Sequence, residues 1–268
     1  MRVVLFTSNR LRHKYIAHKL VESLQMELIV AEDKSAKIEE TSDLSKADAQ
    51  FIEKHFAART ASETVFFGQY ERFPPGTPLL QVPHSEINSD KVLLELEQIN
   101  PEIIVLFGSS IIKKEILGRF PRKLINLHLG LSPYYKGSAT NLFPFYFKEP
   151  ECVGATIHVA TSKVDGGGIL HQLRPNMEIG DTLHDIGNKT IKQAGEQLPG
   201  ILKNYSENKI EPLKQVDAGK LCKIKDLGPE LLREIYRNFE AGMIGDYLKN
   251  KGKRDWKKPI IEEEARKR

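Results

Sequence analysis

The sequence predicts an α/β fold: a mostly parallel β-sheet with helices on both faces, plus a small, mainly helical C-terminal extension. Three observations support this prediction. The chain opens with a strand-helix-strand pattern, short continuous apolar runs recur along it, and segments with helical spacing separate many of these runs. Strands of a parallel sheet read as continuous apolar runs because helices cover both faces of the sheet.

The first 32 residues predict one strand-helix-strand unit. RVVLFT (residues 2–7) and ELIVAE (residues 27–32) are short apolar runs, and residues 11–24 between them carry apolar side chains near helical spacing. This arrangement is the repeating unit of a doubly wound sheet. The turn after the first run contains no Gly-x-Gly-x-x-Gly pattern, so a dinucleotide site there is disfavoured.

The rest of the chain continues this alternation. Further helices are predicted at 46–60, at 89–99 with Ser89 as cap, from an N-cap at Asp181 onward, and at 229–250. Further strands are predicted at 79–83, 102–110, 123–129, 154–160 and 220–227. A change of character near residue 206 divides the chain into a first domain of residues 1–205 and a C-terminal extension of residues 206–268, with a basic, solvated tail.

Composition excludes several classes of protein. The chain has 268 residues and a net charge of +4, a balance too small to indicate a nucleic-acid partner by itself. Two cysteines, Cys152 and Cys222, make neither a disulfide framework nor a zinc motif. The histidines lack metal-ligand spacing, so no metal is expected. The chain shows neither a signal peptide nor a run of about 18 apolar residues, so we expect a cytoplasmic protein without a membrane partner.

Two polar side chains stand close together in the predicted strand at 123–129. Asn126 and His128 are two residues apart, so they point to the same face of the strand. They lie at its carboxyl end, where α/β sheets open their ligand crevices, and a loop rich in turn residues follows at once. The pair alone is equally compatible with satisfied core polar groups, so a third group is needed to indicate a site.

Asp165, which precedes three glycines, is the best candidate for that third group. A carboxylate beside a histidine raises the imidazole pKa and orients the ring, and an asparagine amide can hold an oxyanion. The three types together suit acyl transfer to an amine. Ser132 lacks a nucleophile-elbow motif and Cys152 has no local motif, so direct attack by the amine is favoured over a covalent intermediate.

The other histidines are interpreted as non-catalytic. His158 lies inside a predicted strand and reads as a structural core residue. Most of the remaining ones are expected at the surface, namely His13, His18, His55, His84, His171 and His184.

Residues 103–185 resemble the folate-dependent formyltransferase family, which includes methionyl-tRNA, glycinamide ribonucleotide and nucleotide-sugar N-formyltransferases. The blocks that carry the resemblance are NLHLGLSPYYKG, VGATIH and DGGGI, in the family's order and at plausible spacing. The resemblance implies a Rossmann-like sheet, one-carbon transfer from N10-formyltetrahydrofolate, and catalytic roles for Asn126, His128 and Asp165. The family's usual serine after the histidine is Gly130 here, and one leucine is Ser132, which puts acceptor specificity in question more than chemistry.

The resemblance also implies where the folate binds. One wall of the pterin site is expected in the loop after the strand at 102–110, and the other in the segment around the aspartate. The residues expected at these walls are Phe107, Gly108, Ser109, Ile111, Val164 and Gly166.

A primary amine of a small amino sugar, with a nucleotide attached, is the favoured acceptor. The aromatic residues that follow the histidine are candidates to stack on a base or sugar, namely Tyr134, Tyr135, Phe143, Phe145 and Tyr146. A glycinamide ribonucleotide acceptor would favour a glycine-rich loop after the first strand, and residues 6–13 contain no glycine. An initiator-tRNA acceptor would use the basic run at 249–258, which reads more simply as a solvated tail.

Two other classes stay open. A hydrolase would release formate from the same folate with water in place of an amine, and a non-catalytic protein would only bind folate or nucleotide. The apolar stripe of the helix predicted at 229–250 is expected either to pack on the core or to form a seam between two copies of the chain.

Overall fold

The structure is a computed structural model that describes residues 1–34, 42–216 and 219–262. The strands are β1 Arg2–Ser8, β2 Gln25–Glu32, β3 Leu79–Val82, β4 Ile103–Leu106, β5 Leu124–His128, β6 Tyr135–Gly137, β7 Ala155–Val159, β8 Ile169–Leu173 and β9 Lys220–Cys222. The helices are α1 Leu11–Val21, α2 Lys46–Phe67, α3 Asp90–Ile99, α4 Lys114–Arg119, α5 Phe143–Tyr146, α6 Leu183–Ser206, α7 Pro229–Glu240, α8 Met243–Lys249 and α9 Lys251–Lys257. The last residues of the predicted tail, 263–268, lie outside the described part of the chain.

Among the described residues, seven strands form one sheet in the order β3-β2-β1-β4-β5-β7-β8. Neighbours from β3 to β5 are parallel, whereas β7 and β8 are antiparallel to their neighbours. The predicted α/β fold with a mostly parallel sheet is therefore confirmed. The strand order reverses between β1 and β4, and such switch points are where open α/β sheets bind their ligands.

Alternating side chains of the central strands face two hydrophobic layers. Leu5 and Val105 pack under α1 and α6, whereas Phe6 and Ile104 pack under α3 and α4. Helices thus cover both faces of the sheet, as the continuous apolar runs predicted.

Two strands, β6 and β8, were missed, and two others were predicted several residues too long. β8 follows three glycines and contains a His-Gln pair, which masks its apolar character in the sequence. The strand predicted at 102–110 ends at Leu106, and the one predicted at 220–227 ends at Cys222. β9 pairs only with β6, in a separate two-stranded parallel sheet.

The long helix α6 begins one residue later than an N-cap at Asp181 would place it. Thr182 is the N-cap: its hydroxyl accepts the backbone N–H of Asp185 at 3.1 Å, and the Asp185 carboxylate accepts the N–H of Thr182 at 3.1 Å. This reciprocal pair satisfies two N–H groups at the helix start. The predicted N-cap was wrong by one residue because aspartate and threonine both cap helices. Here Asp181 instead pairs with Lys189 at 2.8 Å.

The predicted C-terminal helix 229–250 is two helices, α7 and α8. Gly242 separates them with φ +84°, a conformation that glycine adopts without steric cost. The apolar stripe packs on the core of the same chain, where Leu232, Ile235 and Met243 are buried beside Phe145 of α5. Of the two expected roles of the stripe, core packing is therefore the one observed.

The basic run near the C-terminus is not a solvated tail, because it forms α9 and docks on the body of the protein. Arg254 pairs with the buried Glu151 at 2.6 Å, and Lys258 lies 3.3 Å from Glu149. None of the helices in the described ranges is both long enough and apolar enough to cross a membrane.

Candidate active site

A cavity of about 550 Å³ opens at the carboxyl ends of β4 and β5. Leu106, the last residue of β4, pairs with Asn126 of β5. The walls are the loop after β4, residues 137–142, the loop after β7, and the facing parts of α1, α2 and α6. The cavity thus lies beside the switch point of the sheet, where a ligand site is expected.

The structure brings Asn126, His128 and Asp165 together in the wall of this cavity. One carboxylate oxygen of Asp165 lies 3.3 Å from Nδ1 of His128, and the other accepts an N–H of the Asn126 amide at 3.2 Å. His128 and Asp165 are both buried, with side chains 6% and 9% exposed. Side-chain spacing in the strand predicted the first two to share a face, and the loop after β7 supplies the third.

Asp165 is held as a carboxylate. Its backbone adopts φ +47°, a left-handed conformation that is uncommon outside glycine. Burial alone would raise its pKa, but a hydrogen bond with His158, the charge of His128 and the N–H of Gly137 at 2.8 Å lower the pKa to about 2. The group therefore stays charged near neutral pH and can stabilise a positive charge on a neighbouring imidazole.

His128 has acceptors near both ring nitrogens. Nδ1 faces Asp165, while Nε2 lies 3.3 Å from the carbonyl of Tyr135 and 3.5 Å from the hydroxyl oxygen of Thr140. The Thr140 hydroxyl donates its own hydrogen to the carbonyl of Leu129. Burial lowers the pKa of His128 below its usual value, and Asp165 opposes this shift. The imidazole is thus held neutral by burial but has partners for a second proton.

His158 belongs to the site. It stands directly opposite Asn126 in the β5–β7 pair and lines the cavity. Its Nδ1 lies 3.0 Å from the carbonyl of Val159, and its Nε2 lies 3.1 Å from the amide nitrogen of Asn126 and 3.5 Å from a carboxylate oxygen of Asp165. The amide nitrogen of Asn126 therefore contacts both His158 and Asp165. The sequence alone favours a core role for His158 and does not predict this contact. The register between two strands cannot be read from the sequence of either strand alone.

Gly130 stands where the resembled family usually has serine, and the structure gives a steric reason for glycine. A Cβ at this position would lie 2.5 Å from Nε2 of His128 and 2.7 Å from Cβ of Thr140. No side chain fits there without moving the imidazole. The loop after β5 therefore passes closer to His128 than a serine would allow.

Five of the six residues expected to bind folate line the cavity, namely Phe107, Gly108, Ser109, Ile111 and Val164. Gly166 does not; a Cβ there would meet the side chain of Lys163. Ile111 and Val164 are 75% and 46% exposed although they are apolar. Apolar side chains left open at opposite walls of a cavity suit a flat apolar ligand.

The aromatic residues expected to stack on an acceptor are absent from the lining of this cavity. Tyr135, Phe143 and Phe145 are buried in the hydrophobic core instead. Phe56 and Phe107, from other elements, line the cavity. The backbone of the segment after β5 stays close to His128, but its aromatic side chains pack away from the cavity.

The end of the cavity near α1 and α2 is cationic, which the sequence did not reveal. Arg12, Lys34 and Arg59 line it, and Arg12 pairs with Glu63 at 2.6 Å. Lys34 donates to the carbonyl of Gly108. Burial of its ammonium group and the nearby Arg12 lower the pKa of Lys34 to about 8, although much of its side chain stays exposed. These residues lie far apart in the chain and meet only through helix packing.

Two histidines expected at the surface lie in the same wall. His55 is buried and His184 is half-buried, with their ring centroids 4.8 Å apart. The hydroxyl of Tyr236 from α7 lies 3.1 Å from Nδ1 of His55. Burial lowers the pKa of His55 to about 4 and that of His184 to about 3, so both are neutral at pH 7. His13 is likewise buried in this wall.

Comparison with known proteins agrees with the fold. The family described as formyl transferase matches residues 9–202, and the chain belongs to this family. Among relatives, it is 32% identical over 143 residues to a methionyl-tRNA formyltransferase of Caldanaerobacter subterraneus, a match covering 53% of this chain and 46% of that protein. The chain thus matches about half the length of this relative.

Two solved structures share the fold. A phosphoribosylglycinamide formyltransferase of Anaplasma phagocytophilum has a TM-score of 0.56 at 16% identity, covering 83% of this chain and 98% of that one. A sugar N-formyltransferase of a Shewanella species has a TM-score of 0.56 at 18% identity, covering 87% of each chain. At such identities the likeness concerns the fold alone.

Proposed function

We propose that this protein transfers a formyl group from N10-formyltetrahydrofolate to a primary amine, with Asn126, His128 and Asp165 as its catalytic residues. The observation that carries the proposal is the convergence of these three side chains on one cavity, in a chain that matches the formyl transferase family over residues 9–202. The folate supplies the formyl group at this site. A flat ring system with polar edges suits this site. The exposed apolar side chains of Ile111 and Val164 can contact its faces, and the carbonyl and N–H groups of the loop after β4 can bond its edge.

His128 acts as the base and then as the acid. The amine attacks the formyl carbon, and Nε2 of His128 takes the proton that the new C–N bond makes acidic. The same proton is then delivered to N10 of the folate as the old C–N bond breaks, so the N-formylated amine and tetrahydrofolate are the products. The contacts of Nε2 are long, at 3.3 and 3.5 Å, which leaves this nitrogen free to exchange them for a bound amine. Asp165 stabilises the imidazolium that forms.

Asn126 holds the formyl oxygen while it is negatively charged. An amide N–H aimed at such an oxygen in a site closed to water is a strong electrostatic contribution. Its amide nitrogen contacts Asp165 and His158, at 3.2 and 3.1 Å. The N–H on the His158 side is the one that turns to the oxyanion, because the bond to the charged Asp165 is the stronger of the two.

The favoured acceptor is an amino sugar linked to a nucleotide. The cationic end of the cavity supports this choice, since Arg12, Lys34 and Arg59 suit the phosphates of such a molecule while its amine reaches His128. Of these three residues, Arg12 pairs with Glu63 at 2.6 Å. A methionyl-tRNA acceptor is the second candidate, favoured by the 32% identical relative and by the exposed lysines of α9.

A panel of amines tests the proposal. Tetrahydrofolate release from N10-formyltetrahydrofolate would be followed by absorbance with several nucleotide-linked amino sugars, glycinamide ribonucleotide, charged initiator tRNA and a control without acceptor. Release that requires an amino sugar is the expected result. Release only with tRNA would identify tRNA as the acceptor in place of the amino sugar. Release without any amine would indicate a hydrolase. No release with any of the amines would contradict the proposal.

Two variants separate the candidate acceptors. Arg59→Met should raise KM for a nucleotide-linked sugar about tenfold or more and leave kcat nearly unchanged, because it removes a contact made equally in the ground and transition states. Lys257→Met removes an exposed cation of α9 that does not line the cavity, and it should change neither parameter for the sugar. With tRNA as the true acceptor, Lys257→Met would weaken binding instead.

A further inference from the structure

The chain returns to the active site after α6. Leu213 makes two backbone hydrogen bonds with Ile169 of β8, at 2.8 and 2.9 Å, so the segment runs beside the start of that strand. Gln215 follows two residues later and reaches the turn that carries Asp165. The family match ends at residue 202, so this segment lies beyond it.

Gln215 makes two hydrogen bonds to the backbone of that turn. Its amide nitrogen donates to the carbonyl of Asp165 at 2.8 Å and to the carbonyl of Gly167 at 2.6 Å. Both N–H groups of the side-chain amide are thereby used on two carbonyls of one turn. The two bonds are short and span Gly166, so they restrain the conformation of the turn. We call this pair of hydrogen bonds the clamp.

The clamp acts where the backbone has a steric cost. Asp165 adopts φ +47°, a left-handed conformation that is sterically unfavourable for a residue with a Cβ. Relaxation of this residue would swing the carboxylate away from His128, because the side-chain direction follows the backbone at Cα. The two hydrogen bonds of Gln215 are in a position to offset this cost.

The extension holds the opposite side of the carboxylate as well. β9 pairs with β6, where Gly137 is the residue whose N–H binds Asp165 at 2.8 Å. Ser138, the next residue, donates its N–H to the carbonyl of Cys222 at 2.9 Å. Residues after α6 therefore support both the turn that carries Asp165 and the loop that binds its carboxylate.

We propose that Gln215 is a positioning residue, which holds the Asp165 turn so that the carboxylate faces His128 and Asn126. This inference rests on the proposed catalytic roles of these three residues. It makes the segment after α6 part of the active site, although that segment touches none of the reacting atoms.

Gln215→Met tests this role because methionine keeps the length of the side chain and removes both N–H groups. We expect kcat to fall about 10- to 100-fold with KM within twofold, since the base is misoriented while the cavity is unchanged. The pKa of His128, measured by NMR of labelled histidine, should fall by about one unit as the carboxylate moves away. Gln50→Met, the same change at an exposed position of α2, is the matched control and should change neither quantity.

A double variant separates positioning from general stability. In an Asp165→Asn background, Gln215→Met should reduce kcat by less than twofold further, because the group that it positions is already lost. A full 10- to 100-fold loss in that background would overturn the inference. So would a wild-type kcat and His128 pKa in the single variant, or an increase in KM alone.

Two safeguards keep the outcome interpretable. Thermal melting checks that Gln215→Met folds, and Gln215→Asn, which keeps the amide but withdraws it by one methylene, gives the same readouts if it does not. Because the NMR titration needs no substrate, it tests the clamp even if no amine supports turnover. Failure of the wild-type protein in the amine panel would count against the proposed function, whereas an unchanged His128 pKa would count against the clamp.

Discussion

Two polar clusters sit side by side on β5, β7 and β8, and they differ in charge and in how tightly they are bonded. The cavity cluster consists of Asn126, His128, His158 and Asp165. The edge cluster consists of Ser132, Thr156 and Gln172. They are direct neighbours, because Thr156 stands opposite His128 in the β5–β7 pair.

The edge cluster is neutral, and its bonds run through Thr156 and Gln172; the hydroxyl of Ser132 is buried without a partner in the described part of the chain. The hydroxyl of Thr156 donates to the carbonyl of Gly130 at 2.6 Å and accepts the N–H of Ser132 and an N–H of Gln172, both at 3.0 Å. Gln172 also accepts the N–H of Ile261 at 3.1 Å. These bonds join the loop after β5, two strands and the C-terminal segment, which is a structural role.

The cavity cluster contains ionisable groups, and the contacts among its four side chains are longer, from 3.1 to 3.5 Å. Longer bonds are more easily exchanged for bonds to a ligand, and charged groups change partners when a proton moves. The comparison teaches that polar residues inside strands indicate function when they titrate and border a cavity, not merely because they are buried.

The largest expected effect is the loss of catalysis in His128→Asn. Turnover should fall about 10³-fold, since general acid-base catalysis contributes roughly 10²–10⁴. The variant should still fold, because asparagine fits the space and keeps a polar group toward Asp165. Tetrahydrofolate release at saturating substrates measures the effect, and turnover above one tenth of the wild-type value would remove His128 from its role.

Asp165→Asn should reduce turnover by about 10²-fold and lower the pKa of His128 by about one unit, because the carboxylate that stabilises the imidazolium is lost. NMR titration of His128 measures the second effect without substrate. His55 is the internal reference: it lies in the same cavity, where it contacts Tyr236 and His184, and burial lowers its pKa to about 4. An unchanged His128 titration would show that Asp165 does not act on it.

Thr156→Val should show the opposite profile. Valine keeps the shape of threonine but leaves the carbonyl of Gly130 and the N–H of Ser132 without their partner, at a cost of about 1–3 kcal/mol in the free energy of unfolding. Turnover should stay within twofold, since Thr156 does not line the cavity. Urea unfolding and a turnover assay on the same sample measure both. A large loss of turnover at normal stability would erase the distinction between the two clusters.

The smallest effect at neutral pH is expected for His55, which changes the stability of the fold only as the pH falls. The pKa of His55 is lowered to about 4 in the folded state, so the unfolded state takes up its proton first as the pH falls below about 6.5. Stability from this group is complete above pH 6.5 and declines towards pH 4, by up to about 1.4 kcal/mol per pH unit. His55→Gln should flatten this slope of unfolding free energy against pH. A slope equal to that of the wild-type protein would mean that His55 is protonated normally.

The sequence by itself determined the parts of the structure that depend on local pattern. Continuous apolar runs predicted the parallel strands, because such strands are buried on both faces. The two-residue spacing of Asn126 and His128 placed them on one face, because side chains alternate along a strand. The glycines after Asp165 predicted the turn that lies beside the cavity, although not which carbonyls of the turn would be bonded.

Only the tertiary structure decided which distant residues meet. The strand register brought His158 opposite Asn126, helix packing brought Arg12, Lys34 and Arg59 to one end of the cavity, and the segment after α6 brought Gln215 to the Asp165 turn. The physical reason is range. Periodicity and turn propensity act over a few residues, whereas these contacts join positions that are 22 to 50 residues apart and form only when the sheet and its helices are assembled.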